Sequence, residues 1–247
     1  MFPELVQRPL RTFNNKSLRI TGGTQAQVLA SDTALVVIDP QYMFCTKRPN
    51  KLCGNPDVAV DHVERTLDRI ALARDYADAQ NMPTFIVYIV NGMGNDPSIP
   101  FGTGDYGLYR QRLSGHYELA VKSAESAFQK SVFYDIPPEL PVLLKEYANV
   151  RNLVFAGFNT NMCVYGTMED AIKRKYGVSL LSDCTANAPR EWAGQEFRVF
   201  EKLRNMDASV VTLDEWRRER AHLQRIRLPY AAPANRPERP GSLKLAG

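Results

Sequence analysis

A carboxylate, an amine and a thiol each stand where a short apolar run of this chain ends. Asp39 closes the run 33–39, Lys122 closes 117–122, and Cys163 follows the run 152–157 across Phe158-Asn-Thr-Asn-Met. A thiol opening a helix is pushed toward thiolate by the unpaired N–H groups and the macrodipole there. A neighbouring lysine pushes it further. Asp39 can take the thiol proton and return it to a leaving amine as general acid. Histidine is the usual partner for such a cysteine, but His62, His116 and His222 are isolated in the sequence. Backbone N–H groups in the turn before Cys163 can hold an oxyanion.

Each residue alone has a plainer explanation. An aspartate at a strand-to-loop junction commonly caps the next segment. A lone lysine is usually a solvated surface residue, and a lone free cysteine is usually a small buried hydrophobe. Their conjunction carries the weight. In an open parallel sheet, ligands bind outside the carboxyl ends of the strands, and all three residues fall there.

The elements that must position them follow from periodicity. Runs apolar on both faces recur at 33–39, 84–90, 152–157, 178–183 and 208–213, with a weaker one at 117–122. Such runs suit strands buried on both sides. Between them, 58–79, 163–176 and 189–206 carry apolar residues at helical spacing. The alternation predicts an α/β fold: a doubly wound, mostly parallel sheet of about six strands with helices on both faces. No internal repeat or interdomain linker interrupts it. The reading is one domain over 1–228 and a Pro-rich basic tail over 229–247.

The wording around the three residues resembles the isochorismatase-like cysteine hydrolases. ALVVIDPQYMF is similar to their D-x-Q-x-x-F opening, and VKSAESAF to their K-x-x-x-S-A-F segment. LVFAGFNTNMCVYGTMEDA is similar to their G-x-x-T-N-x-C-V-x-x-T-x-x-D-A signature, and DCTA to the element after the next strand. The likeness runs from about Thr33 to Leu213. It implies a catalytic triad of Cys163 as nucleophile, Asp39 as general base then acid, and Lys122 as electrostatic partner. Lys130 takes the lysine's place if the alignment shifts. It also implies a cis peptide at Phe158–Asn159 that aims the N–H groups of Asn159 and Cys163 at an oxyanion. A homodimer or homotetramer is implied as well.

Among the branches of that family, the intact Cys163 argues against isochorismatase chemistry. The stretch NGMGNDPS holds no histidine, which argues against a metal-dependent nicotinamidase. The expected substrate is a small linear amide, ureide or N-carbamoyl compound, with no metal and no cofactor. Gln41, Tyr42, Phe44, Asn161 and Met162 are expected on the substrate wall. The glycine-rich loop 91–107 is expected beside them, with Phe101, Tyr106 and Tyr109 forming either an aromatic lid or a subunit contact. Cys45, Cys53 and Cys184 read as packing residues, and Asp170 and Asp183 as structural acceptors. Alternatives remain: an isochorismatase-type or other small-molecule hydrolase, thiol redox chemistry, or a non-catalytic binding or scaffold member of the family.

Composition bounds the partners. Four cysteines with no CxxC pair make neither a disulfide scaffold nor a zinc site. No apolar run approaches a membrane span, and the first residues lack the apolar core of a signal peptide. The expected setting is therefore cytoplasmic, with no membrane partner. The net charge of +4 is local. Residues 214–247 carry eight Lys/Arg against four Asp/Glu, and the remainder is balanced at 23 of each. A neutral body argues against nucleic acid. The basic C-terminal stretch reads as docking on a neighbouring subunit or staying solvated.

Overall fold

A computed structural model of the protein describes residues 25–45, 60–89, 117–122, 124–129 and 138–227. The loop 91–107, Cys53, Lys130 and the tail 229–247 lie outside the described residues. In chain order the elements are α1 (Gln25–Leu29), β1 (Thr33–Ile38), α2 (Tyr42–Cys45), α3 (Val60–Ala79), β2 (Thr84–Ile89) and β3 (Glu118–Lys122). They continue with α4 (Leu140–Glu146), β4 (Asn152–Phe158), a π-helical turn (Thr160–Val164) and α5 (Tyr165–Lys173). The last are β5 (Gly177–Ala186), α6 (Phe197–Arg204), β6 (Ser209–Val211) and α7 (Leu213–Arg227).

The six strands form one sheet in the order β3-β2-β1-β4-β5-β6, and every pairing is parallel. The expected sheet was mostly parallel; the described one is wholly so. β1 is buried along its full length, as its unbroken Ala-Leu-Val-Val-Ile run requires. Its alternate residues Ala34, Val36 and Ile38 join a core with Leu140 and Leu144 of α4, Met168 and Ala171 of α5, and Val199 and Leu203 of α6. α3 packs on β1, β2, β4 and β5. It buries Val63, Leu67, Ile70, Ala73 and Ala77, a stripe at three- and four-residue spacing. Strand order reverses between β1 and β4, so the crevice opens at their carboxyl ends.

That crevice depends on a close approach. Gly157 pairs with Ile38 across the β1–β4 ladder and has φ +118°. A Cβ there would lie 2.1 Å from the Ile38 carbonyl oxygen, so only glycine fits.

The chain falls into two compact units, Met1–Leu213 and Asp214–Gly247. The first holds the sheet. The second contains most of α7, whose first turn carries Asp214 and Glu215, the sign that suits the positive end of a helix dipole.

Candidate active site

β1 delivers Asp39 to the crevice. Its amide N–H donates to the Val87 carbonyl of β2 at 2.8 Å, and its carbonyl accepts from the Gln41 N–H at 2.7 Å. The chain turns so sharply that Asp39 takes φ 49°, a conformation aspartate tolerates better than most residues. β3 delivers Lys122, whose Nζ lies 2.7 Å from Asp39 Oδ2. Both side chains are essentially without solvent contact. The Lys122 ammonium also donates to the Ala124 carbonyl at 3.4 Å. β4 and the π-helical turn deliver Cys163, buried beside both charges.

The electrostatics reverse one expectation. Helix position and Lys122 suggest a lowered thiol. Instead burial, reinforced by the nearby Asp39 carboxylate and opposed by Lys122, pushes the Cys163 thiol up to about 12. Desolvation of a buried anion outweighs the attraction of one lysine that is already paired. Burial also raises Asp39, an effect that Lys122 only partly offsets. Burial by itself would lower Lys122, yet the negative charges of Asp39 and the Cys163 thiolate hold it above its ordinary value. Lys122 and Asp39 make an ion pair beside a thiol that resists losing its proton. Lys122 and the Cys163 thiol are both hydrogen-bond partners of the Asp39 carboxylate, which puts the thiol proton within its reach.

The turn before Cys163 is tightly tied. The Phe158–Asn159 peptide is cis, as the family resemblance implied. The Asn159 carbonyl accepts from the N–H groups of Met162 at 3.1 Å and Val164 at 3.2 Å. The Asn159 side chain accepts from Ala188 N–H at 2.7 Å. Asn161 N–H donates to Asn187 Oδ1 at 3.1 Å, and Asn187 Nδ2 donates to the Trp192 carbonyl. Beneath β4, Thr185 Oγ1 donates to the Gly157 carbonyl at 2.9 Å and lies 2.8 Å from Thr160 Oγ1.

The expected substrate wall fares unevenly. Gln41 is fully buried and is committed elsewhere. Its Nε2 donates to the Ile89 carbonyl and its Oε1 accepts from the Ile89 N–H, each at 2.9 Å. It clamps the end of β2 to the turn after β1. Phe44 is half-buried. Met162 is partly buried and packs on the core. Asn161 Oδ1 is buried without a hydrogen-bond partner. The side chain of Tyr42 lies outside the described residues, as do Phe101, Tyr106 and Tyr109.

Several supporting residues escaped the sequence reading. Glu196 Oε1 accepts from Asn187 N–H at 2.8 Å and lies 3.0 Å from His62 Nε2. Burial pushes the Glu196 carboxyl up, but those two contacts more than offset it and hold it below its usual value. Neither Asn187 nor Glu196 stands in a motif that marks it. Cys45 and Cys184 are buried thiols, and Cys184 Sγ donates to Asp183 Oδ1 at 3.7 Å. Asp183 accepts from Leu213 N–H and from Arg69 Nε, both at 2.8 Å. Among the described residues no cluster of three or more His, Cys, Asp or Glu could hold a metal ion.

A doubly wound parallel sheet with a thiol and a buried carboxylate–ammonium pair at its switch point defines the class of α/β protein. Within that class the chain belongs to the isochorismatase family, whose domain profile matches residues 33–215. It is 26% identical over 189 residues to the ureidoacrylate amidohydrolase RutB of Stutzerimonas stutzeri, covering 67% of this chain and 74% of that one. A putative isochorismatase from Burkholderia xenovorans shares the fold with TM-score 0.60 and 26% identity, over 76% of this chain and 86% of that one. The N-carbamoylsarcosine amidase of Thermoplasma acidophilum has the same fold with TM-score 0.55 and 21% identity, over 74% and 98% of the two chains.

Proposed function

We propose that this protein is an amidohydrolase that cleaves a C–N bond in a small linear amide, ureide or N-carbamoyl compound through a thioester on Cys163. The observation that carries the reading is the Lys122–Asp39 pair at 2.7 Å, closed off from solvent beside a buried thiol. Two opposite charges are costly to bury, and here they stand at the switch point of the sheet, where open α/β sheets bind ligands. The names of relatives, ureidoacrylate amidohydrolase and N-carbamoylsarcosine amidase, support the choice of substrate class.

The steps follow from the charges. The thiol proton moves to Asp39 as sulfur attacks the carbonyl carbon, so no free thiolate has to accumulate. As Asp39 takes the proton and is neutralised, Lys122 balances the negative charge that passes to the substrate. Oxygen takes the electron pair and is held by the N–H groups of Asn159 and Cys163. Collapse breaks the C–N bond, and the leaving amine departs with the proton from Asp39. Water then gives a proton to Asp39 and attacks the thioester, releasing the acid and restoring the thiol.

Ammonia release from a panel of primary amides, ureides and N-carbamoyl amino acids tests the reading, alongside Cys163→Ala and thiol alkylation. The wild type is expected to turn over at least one compound. Cys163→Ala and the alkylated enzyme are expected to be inert with unchanged circular dichroism. Undiminished turnover in Cys163→Ala sinks the mechanism.

A further inference from the structure

Two sequence motifs on separate elements prove to be one interface. The segment after Lys122 reads Ala124-Glu-Ser-Ala-Phe-Gln129, and α5, which follows Cys163, carries Thr167 and Asp170, with Arg174 just past its last residue. Thr167 Oγ1 donates to the Cys163 carbonyl at 2.7 Å and accepts from the Ala127 N–H at 3.1 Å. One helical turn on, Asp170 Oδ2 accepts from Gln129 Nε2 at 2.6 Å. One turn further, the Arg174 guanidinium lies 4.8 Å from the Phe128 ring centroid. Spacing of three and four residues puts these three on one helix face. Thr167 is fully buried, as is Ala127.

We propose that Thr167 is a positioning residue. Its hydroxyl ties the Cys163 backbone to the segment that leaves Lys122, and so holds the thiol in register with the Lys122–Asp39 pair. The inference rests on the Cys–Asp–Lys reading given above. A hydroxyl suits the task because it donates and accepts at once. One hydroxyl satisfies a buried carbonyl on the nucleophile's element and a buried N–H on the lysine's. The Asp170–Gln129 bond and Arg174 over Phe128 repeat the tie along α5.

The test compares Thr167→Val, which keeps the shape and loses the hydroxyl, with Thr167→Ser, which keeps the hydroxyl. Iodoacetamide labelling of Cys163, read by peptide mass across pH 7 to 10, needs no substrate. Thr167→Val is expected to change the labelling rate roughly tenfold and to alter its pH profile, the scale of one buried hydrogen bond lost. Thr167→Ser is expected to restore both to within about threefold of the wild type. With any amide the wild type hydrolyses, Thr167→Val lowers kcat and leaves KM within about twofold. If Thr167→Val does not fold, Gln129→Ala, made at an exposed position, carries the test, with the same changes at smaller size. A folded Thr167→Val with wild-type labelling and kcat overturns the proposal. So does a folded Gln129→Ala with neither change, where it carries the test alone. A wild type that hydrolyses no amide, with labelling still sensitive to Thr167, overturns the catalytic reading instead.

Discussion

A buried ammonium must have a counter-charge, and that requirement governs substitution at each member of the site. Lys122 spends its charge on Asp39 at 2.7 Å. Replacing the carboxylate by Asp39→Asn takes away the negative charge that helps to hold the thiol high. Lys122 then favours a thiolate on Cys163 as its new partner. The thiol pKa falls, and labelling by iodoacetamide at pH 8 rises roughly tenfold. Turnover moves the other way, dropping at least about 100-fold, because no group is left to carry the proton to the leaving amine. A thiol made more reactive in an enzyme made inactive separates Asp39's two roles; parallel loss of both refutes the assignment. The wild-type pH profile has a matching sign. With the thiol pushed up to about 12, labelling keeps climbing from pH 8 to pH 10, whereas a thiol at the ordinary value of about 8.5 flattens above pH 9. Asp39, Lys122 and Cys163 were legible because each closes or follows an apolar run. Their charge states were not, since burial is a property of the assembled sheet. Gln41 shows the same limit: adjacency to Asp39 says nothing about which way its amide turns, and the turn sends it to Ile89.

At the scale of elements, the site is a matter of how closely strand ends approach. Gly157 lets β4 lie against β1 one residue before Asp39. Gly157→Ala puts a methyl 2.1 Å from the Ile38 carbonyl oxygen and a side chain on φ +118°. Overpacking and backbone strain together cost about 2–6 kcal/mol. The expected outcome is a lower Tm and lost activity, because the Ile38 backbone cannot yield without moving Asp39. An unaltered Tm in Gly157→Ala contradicts the close approach. The six strands and the long helix α3 could be read from periodicity, which their buried faces impose. Less was readable in short pieces. α1, α2 and α4 span five, four and seven residues, too short for a helical period to stand out. β5 runs on to Ala186 after a register shift against β4, and it is this extension that brings Asn187 and Ala188 to the turn before Cys163. No pattern in Asn187-Ala-Pro announces that contact. By contrast, the pairing of the S-A-F and T-x-x-D-A segments lay in the sequence as two separate words, joined only when α5 packs beside the exit of β3.

For the molecule as a whole, charge and chemistry are segregated. Residues 1–213 balance 23 basic against 23 acidic residues, and the net +4 belongs to 214–247. The family profile ends at residue 215, so the excess charge lies almost wholly beyond the matched domain. No described helix is long and apolar enough to cross a membrane. The Lys122–Asp39 pair has essentially no solvent contact, and mobile ions screen buried pairs far less than exposed ones. A neutral substrate approaching a neutral body is not steered by a long-range field. Two consequences can be measured. Between about 0.05 and 0.5 M salt, kcat/KM for an uncharged amide is expected to stay within about twofold, because the Lys122–Asp39 pair is out of reach of the salt. Removing residues 228–247 deletes three basic residues and one acidic residue, a net +2, and is expected to leave kcat/KM equally unchanged while lowering the isoelectric point. The same truncation reads the remaining possibility for this segment. If light scattering shows that the shortened chain loses a subunit and kcat falls with it, the basic stretch holds copies of the chain together and the site depends on that assembly. If the mass per particle drops only by the deleted residues, the charge that dominates the composition has no part in catalysis.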